Sequence, residues 1–178
     1  MDEQSSSGAT AAGLLRRLAA LIYDCLPLLA ILFAGTLALL PLTGGKAITP
    51  ASQGLAIYLA YRGYLALLAF GYFGLAWTRA GQTLGMMAWR LRLCTRGDSA
   101  PAWPVATRRF ALGLALAAAA EYGSRLVFAP GGSARVLAGS MLLLPLVVNF
   151  AWIPFDAKGR SLQDLTCGTR VLRTARRG

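Results

Sequence analysis

Four ionisable side chains lie inside runs that are otherwise apolar: Asp24, Arg62, Glu121 and Arg125. Asn149 is a fifth polar interruption. A charge at the centre of a membrane helix costs about 2.5 to 3.5 kcal/mol on insertion scales, so such residues face a partner or a polar cavity. Three kinds of chemistry suit them: hydrogen-bonded glue between helices, a polar track for an ion or proton, and docking of a partner. Glu121 and Arg125 have the i to i+4 spacing that allows an ion pair on one helix. Arg17 and Asp24 are seven residues apart and share a helix face. Helical side chains lean toward the N-terminus, so Arg17 points away from Asp24 and each is expected to find its partner elsewhere.

The elements that carry these residues follow from composition. The chain has 178 residues, 56% of them hydrophobic, with 18 Lys and Arg against 7 Asp and Glu. About a quarter of a soluble domain is charged, against 14% here, which points to a membrane protein. High hydrophobicity excludes a disordered chain, and three cysteines are too few for a disulfide scaffold. A bilayer core of about 30 Å takes about 20 apolar residues as a helix. Four runs qualify, at about residues 18–40, 55–77, 110–128 and 136–154. The expected architecture is an all-α membrane protein of four transmembrane helices, since no period-2 alternation supports a β-barrel. At about 1.5 Å of rise per residue, Asp24 and Asn149 form one layer, about 9 and 8 Å inside their span ends, with Arg17 reaching from below. Arg62, Glu121 and Arg125 form a second layer at the opposite side. Small residues at Ala111, Ala115, Ala119 and Gly123 allow close helix approach, and Pro145 removes a donor from the fourth span.

The basic residues sort by loop. Fourteen of the 18 lie before span one, between spans two and three, or after span four, leaving Lys46, Arg62, Arg125 and Arg135 for the other side. Both termini and the central loop are therefore expected in the cytoplasm. The excess charge reads as a topology signal and not as a nucleic-acid surface, because no aromatic-interleaved basic patch accompanies it. The first run is too long for a secretory signal and contains Asp24, so it reads as an uncleaved span. Residues 1–12 read as a flexible tail and 173–178 as a basic tail.

Between spans two and three, Gln82 to Leu93 suits a short interfacial helix with Trp89 at headgroup level and Arg90 and Arg92 near anionic lipid. Leu91–Thr95 and Thr169–Arg173 are β-compatible and are expected to pair as a small two-stranded element. Asp156 and Asp164, among Lys158, Arg160 and Arg170, are expected to form local ion pairs.

These segments resemble the RDD family of small bacterial membrane proteins, named for one arginine and two aspartates. Arg17 through Asp24 is similar to the family's opening. Gly81-Gln82-Thr83-Leu84-Gly85, Leu91-Arg92-Leu93 and Arg109 resemble its central loop, and Ser161-Leu162-Gln163-Asp164 with Gly168-Thr169-Arg170-Val171 its C-terminal motif. The resemblance spans about residues 13–172 and makes Arg17, Asp24 and Asp164 the signature residues. Met86 and Gln163 stand where the family often has a basic residue and a histidine. With no histidine in the chain, a His-based relay or zinc site is excluded. No nucleophile elbow, metal-binding pair or phosphate loop is present, so neither enzyme activity nor a cofactor is expected. The resemblance implies a bacterial inner-membrane location and a transport-related role for a cation, proton or small ligand. A protein of four spans with that role is expected to act as a homo-oligomer in the lipid bilayer. The alternative is a non-transporting scaffold that binds lipid headgroups or a cytoplasmic protein.

Overall fold

All four apolar runs become helices, and in each of them at least one helical boundary lies outside or short of the apolar one. A computed structural model describes residues 10–95, 97–130 and 132–174. Helix α1 covers Leu14–Leu39 and continues as a 3-10 turn, Leu40–Thr43. A one-turn helix α2, Pro50–Gln53, precedes α3, Leu55–Ala80. A short helix α4, Leu84–Ala88, leads into strand β1, Leu91–Thr95. Helices α5, Trp103–Phe128, and α6, Ser133–Ala151, form an antiparallel hairpin. A final short helix α7, Leu162–Cys167, leads into strand β2, Thr169–Arg173. Helices α1, α3, α5 and α6 are long and apolar enough to cross a membrane, so the protein is an all-α membrane protein with a small sheet at one end.

The shifted boundaries change which charged residues ride on helices. Helix α5 begins seven residues before the expected start at 110, because Pro104 suits a first helical turn and the alanine-rich sequence after it propagates easily. That extension carries Arg108 and Arg109 on the helix. Helix α1 likewise begins at Leu14 instead of 18 and carries Arg16 and Arg17. Helix α6 ends at Ala151, short of the expected 154, because Pro154 disfavours helical geometry at the residue before it.

Glycines set the closest helix contacts. A Cβ at Gly123 of α5 would sit 2.7 Å from the Gly139 carbonyl oxygen of α6, and one at Gly139 would sit 2.6 Å from the Gly123 carbonyl. The small-residue face of span three is thus used for packing at Gly123. Between α1 and α3, the Thr36 and Tyr61 hydroxyls meet at 2.9 Å. Phe70 of α3 meets Trp103 of α5 edge to face and Phe110 at a tilt, with ring separations of 5.9 and 5.2 Å.

Strands β1 and β2 pair, as the sequence suggested, and they do so antiparallel with Leu93 opposite Val171. Alternation turns Leu91, Leu93 and Val171 inward, onto Ala12, Ala20 and Met86, with Trp77 and Trp89 packed at the edge. This cap holds the buried apolar core. At most 11% of the residues in the most apolar stretch of any span are buried, so the described helices fully enclose few of their own span residues.

Two sequence expectations change here. The tail assigned to residues 1–12 is paired where it is described: Ala12 N–H donates to the Val171 carbonyl (3.1 Å) and Arg173 N–H to the Thr10 carbonyl (2.9 Å), so Thr10–Ala12 line the free edge of β2. Residues 1–9, and 175–178 of the expected basic tail, lie outside the described residues, while Arg173 belongs to β2. The interfacial helix expected over 82–93 is only α4. Thr83 caps it, accepting from Met86 N–H at 3.2 Å, and Arg90 ends it with φ 55° in the left-handed region. Strand pairing then claims Leu91 onward, which places Arg92 on β1. Arg90 and Arg92 are exposed. Trp89 lies half-buried against Tyr23, ring centroids 6.2 Å apart, and its buried indole N–H has no partner among the described residues.

Candidate functional site

Three polar clusters are built by these elements, two at the capped end and one at the other. The first centres on Asp164, which is fully buried. Its position follows from a capping box at the start of α7: Ser161 Oγ accepts from Asp164 N–H at 3.1 Å, and Asp164 Oδ2 accepts from Ser161 N–H at 3.1 Å. Into the same carboxylate reach Arg17 of α1, Nη1 to Oδ2 at 2.5 Å, and Arg109 of α5, Nη1 to Oδ1 at 2.6 Å. Arg17 also donates to the carbonyls of Ala12 (3.0 Å) and Gly159 (2.6 Å). Arg109 donates to Thr169 Oγ1 at 2.8 Å, and its guanidinium lies 5.6 Å from the centre of the Trp77 ring. Burial pushes the Asp164 carboxyl up, but the guanidiniums of Arg109 and Arg17 outweigh it and hold the group below its ordinary value. One carboxylate therefore ties α1, α5, α7, β2 and the N-terminal edge segment into a single cap.

Asn149 joins this cluster and not the layer with Asp24 that its depth suggested. Its Oδ1 accepts from Gln163 N–H at 2.8 Å, satisfying a first-turn donor of α7, while Gln163 Nε2 donates to the Arg109 carbonyl at 2.7 Å. Asp164 likewise departs from the expected local pairing. Asp156 alone takes Arg160 (2.9 Å), whose hydrogen bonds hold the Asp156 carboxyl well below the usual carboxylate range. Arg170 pairs with Asp98 at 2.5 Å.

The second cluster centres on Asp24, also buried, with 5% exposure. Its Oδ1 accepts from the Tyr72 hydroxyl (2.7 Å) and Gly85 N–H (2.8 Å), and its Oδ2 from the Thr83 hydroxyl (2.5 Å). Among the described residues no lysine or arginine nitrogen pairs with it. Gly85 brings its backbone this close because any Cβ there would overlap the Ala20 carbonyl of α1. Arg17 and Asp24 thus find separate partners, as the direction of helical side chains requires.

The third cluster brings together Arg62, Glu121 and Arg125, the second layer expected from sequence. Arg62 of α3 grips Glu121 of α5 with two bonds, Nη1 to Oε1 at 3.1 Å and Nη2 to Oε2 at 2.5 Å, and Arg125 Nη2 donates to Oε1 at 2.6 Å. All three side chains are substantially exposed, 44%, 37% and 65% for Arg62, Glu121 and Arg125. An open groove of about 250 Å³ runs beside them, with Tyr58, Leu59, Ala118 and Tyr122 on its walls.

Sequence reasoning left several members of these clusters without a role. Arg109 and Thr83 stood out only within the resembling motifs, and Tyr72 not at all. A Thr before a helix start and Ser161 three residues before Asp164 are capping signals that mark Thr83 and the Asp164 turn. Nothing local marks Tyr72, whose hydroxyl meets Asp24 across 48 residues. No group of three or more His, Cys, Asp or Glu among the described residues is placed to hold a metal. Burial pushes the Cys94 and Cys167 thiols up, which disfavours the reactive thiolate.

No curated protein and no solved structure matches the chain. The Arg17 to Asp164 bond joins the arginine and the second aspartate of the signature, and the segments that build the cap are those that carried the resemblance. The model of the RDD family matches residues 11–168, nearly the whole of the described chain, and the protein belongs to the RDD family.

Proposed function

We propose that this RDD-family protein is a transport-related component of the bacterial inner membrane, with both termini cytoplasmic, in which the Asp24 carboxylate takes up and releases a proton or a small cation. The observation that carries this reading is a carboxylate buried to 5% exposure with only neutral donors around it. A buried charge without a counter-charge is costly, and protonation or a bound cation removes that cost. The surroundings suit the exchange. Hydroxyls both donate and accept, so Tyr72 and Thr83 can turn their lone pairs toward a proton on Asp24 or toward a cation. Fourteen of the 18 basic residues fall before span one, between spans two and three, or after span four, which supports the orientation.

Proteoliposomes loaded with a pH-sensitive dye and challenged with a sodium or potassium gradient test it. Wild-type protein is expected to dissipate the gradient faster than empty vesicles, with Asp24→Asn returning to the empty-vesicle rate. Wild-type vesicles no leakier than empty ones would sink the proposal. A second reading, a non-transporting scaffold, is favoured by the exposed Arg90 and Arg92 of the cap, which suit anionic headgroups or an acidic partner. It predicts no flux, together with vesicle binding by the cap that Arg90→Gln and Arg92→Gln weaken.

A further inference from the structure

The outer cluster is incomplete as it stands. Arg62 and Arg125 share Glu121 as their close acceptor among the described residues, with the Tyr58 side chain beside Arg62, so several of their guanidinium N–H groups are left without an acceptor. Arg62 is seven residues inside the start of α3 and Glu121 seven inside the end of α5, about 10 Å of helix in each case, with Arg125 about one turn shallower. Unpaired donors and a net positive charge at that depth call for an anion.

We propose that the groove between α3 and α5, at the end away from the cap, holds the headgroup phosphate of an anionic phospholipid, gripped by Arg62 and Arg125. Charge complementarity selects this occupant. Two guanidiniums and one carboxylate leave one net positive charge, which a single phosphodiester neutralises. Arginine forks match phosphate oxygens. Tyr58 and Tyr122 on the groove walls are the residue type that lies at headgroup level, with an apolar ring and a polar tip. A second copy of the chain is a poorer occupant. A two-fold interface places the same patch on both sides, bringing two positive groups together in a medium of low dielectric. Lipid binding here does not depend on whether Asp24 carries a proton.

Native mass spectrometry of the full chain in detergent, titrated with phosphatidylglycerol, phosphatidylcholine or soluble sn-glycerol phosphate, tests the proposal. Wild-type protein is expected to retain one phosphatidylglycerol in preference to phosphatidylcholine. Losing one charge-assisted contact in Arg125→Gln should cut the retained fraction by about tenfold or more. Glu121→Gln, which removes the competing carboxylate, should raise it above wild type. If Arg125→Gln does not fold, the Glu121→Gln titration decides alone. Retention in Arg125→Gln equal to wild type overturns the proposal, as does a Glu121→Gln affinity no higher than wild type. Equal binding of soluble glycerol phosphate would assign the groove to a free anion. A lipid-independent dimer that Arg125→Gln dissociates would assign it to a second copy.

Discussion

Two clusters in this molecule have the same composition, one carboxylate between two arginines, and opposite environments. Around Asp164 the side chains of Arg17, Asp164 and Arg109 are 8%, 0% and 11% exposed. Around Glu121 the figures for Arg62, Glu121 and Arg125 are 44%, 37% and 65%. In the first, backbone carbonyls, a threonine and a serine take up the remaining bonds, so the cluster is closed and works as a latch. In the second the carboxylate accepts three bonds while several N–H groups of the arginines are left over, so the cluster can take a further ligand. Asp24 is a third case, a buried carboxylate with neutral donors alone. Placement decides whether the same side chains hold the fold or stay available.

The closed cluster is tested most severely at Asp164. Asp164→Ala leaves two guanidiniums buried without their carboxylate, and removing one partner of a buried pair costs about 3 to 5 kcal/mol. Thermal unfolding in detergent should show the largest fall of any single substitution discussed, and a transition unchanged from wild type would refute the latch. The latch also has a pH signature. Because the Asp164 carboxyl is held below its ordinary value of 3.8, its contribution is fully present above that value and is lost as pH falls further through the native-state value. Stability of the wild type should therefore drop in that acid range, and Asp164→Asn should flatten the drop.

A smaller loss is expected at Gly85→Ala. The added methyl overlaps the Ala20 carbonyl and must push α4 away from α1, and overpacking of this kind costs about 1 to 3 kcal/mol. The same shift moves Gly85 N–H away from Asp24, so denaturation midpoint and flux should fall together. Asp24→Asn should change stability little, within about 1 kcal/mol. The retained Oδ1 still accepts from Tyr72 and Gly85, and the Thr83 hydroxyl can turn to accept from the amide. A flux loss without a stability loss separates Asp24 from Asp164, and a large fall in midpoint would place Asp24 with the latch. The smallest effect belongs to Glu121→Gln, since exposed ion pairs contribute about 1 kcal/mol or less in water. Its midpoint in lipid-free detergent should match wild type, with the difference showing only when phosphatidylglycerol is added.

Much of this arrangement was legible in the residues because its rules are local. Apolar runs located the four spans, the i to i+4 spacing paired Glu121 with Arg125, and β-compatible composition paired Leu91–Thr95 with Thr169–Arg173. Where local rules were extended too far they failed. Depth put Asn149 beside Asp24, but depth along a helix carries no information about which helix lies next to it. Proximity in sequence put Asp164 with Arg160 and Arg170, although its partner Arg17 lies 147 residues away.

That the chain has four membrane-crossing helices is written in its residues, because about 20 consecutive apolar residues have no other stable environment. So is the asymmetry of charge between the two ends. Packing in three dimensions settles the rest: which carboxylate is shared by two buried arginines, which is left to hydroxyls and which opens onto a groove. Hydrogen bonds act over about 3 Å, and only the packed fold brings residues far apart in the chain within that distance.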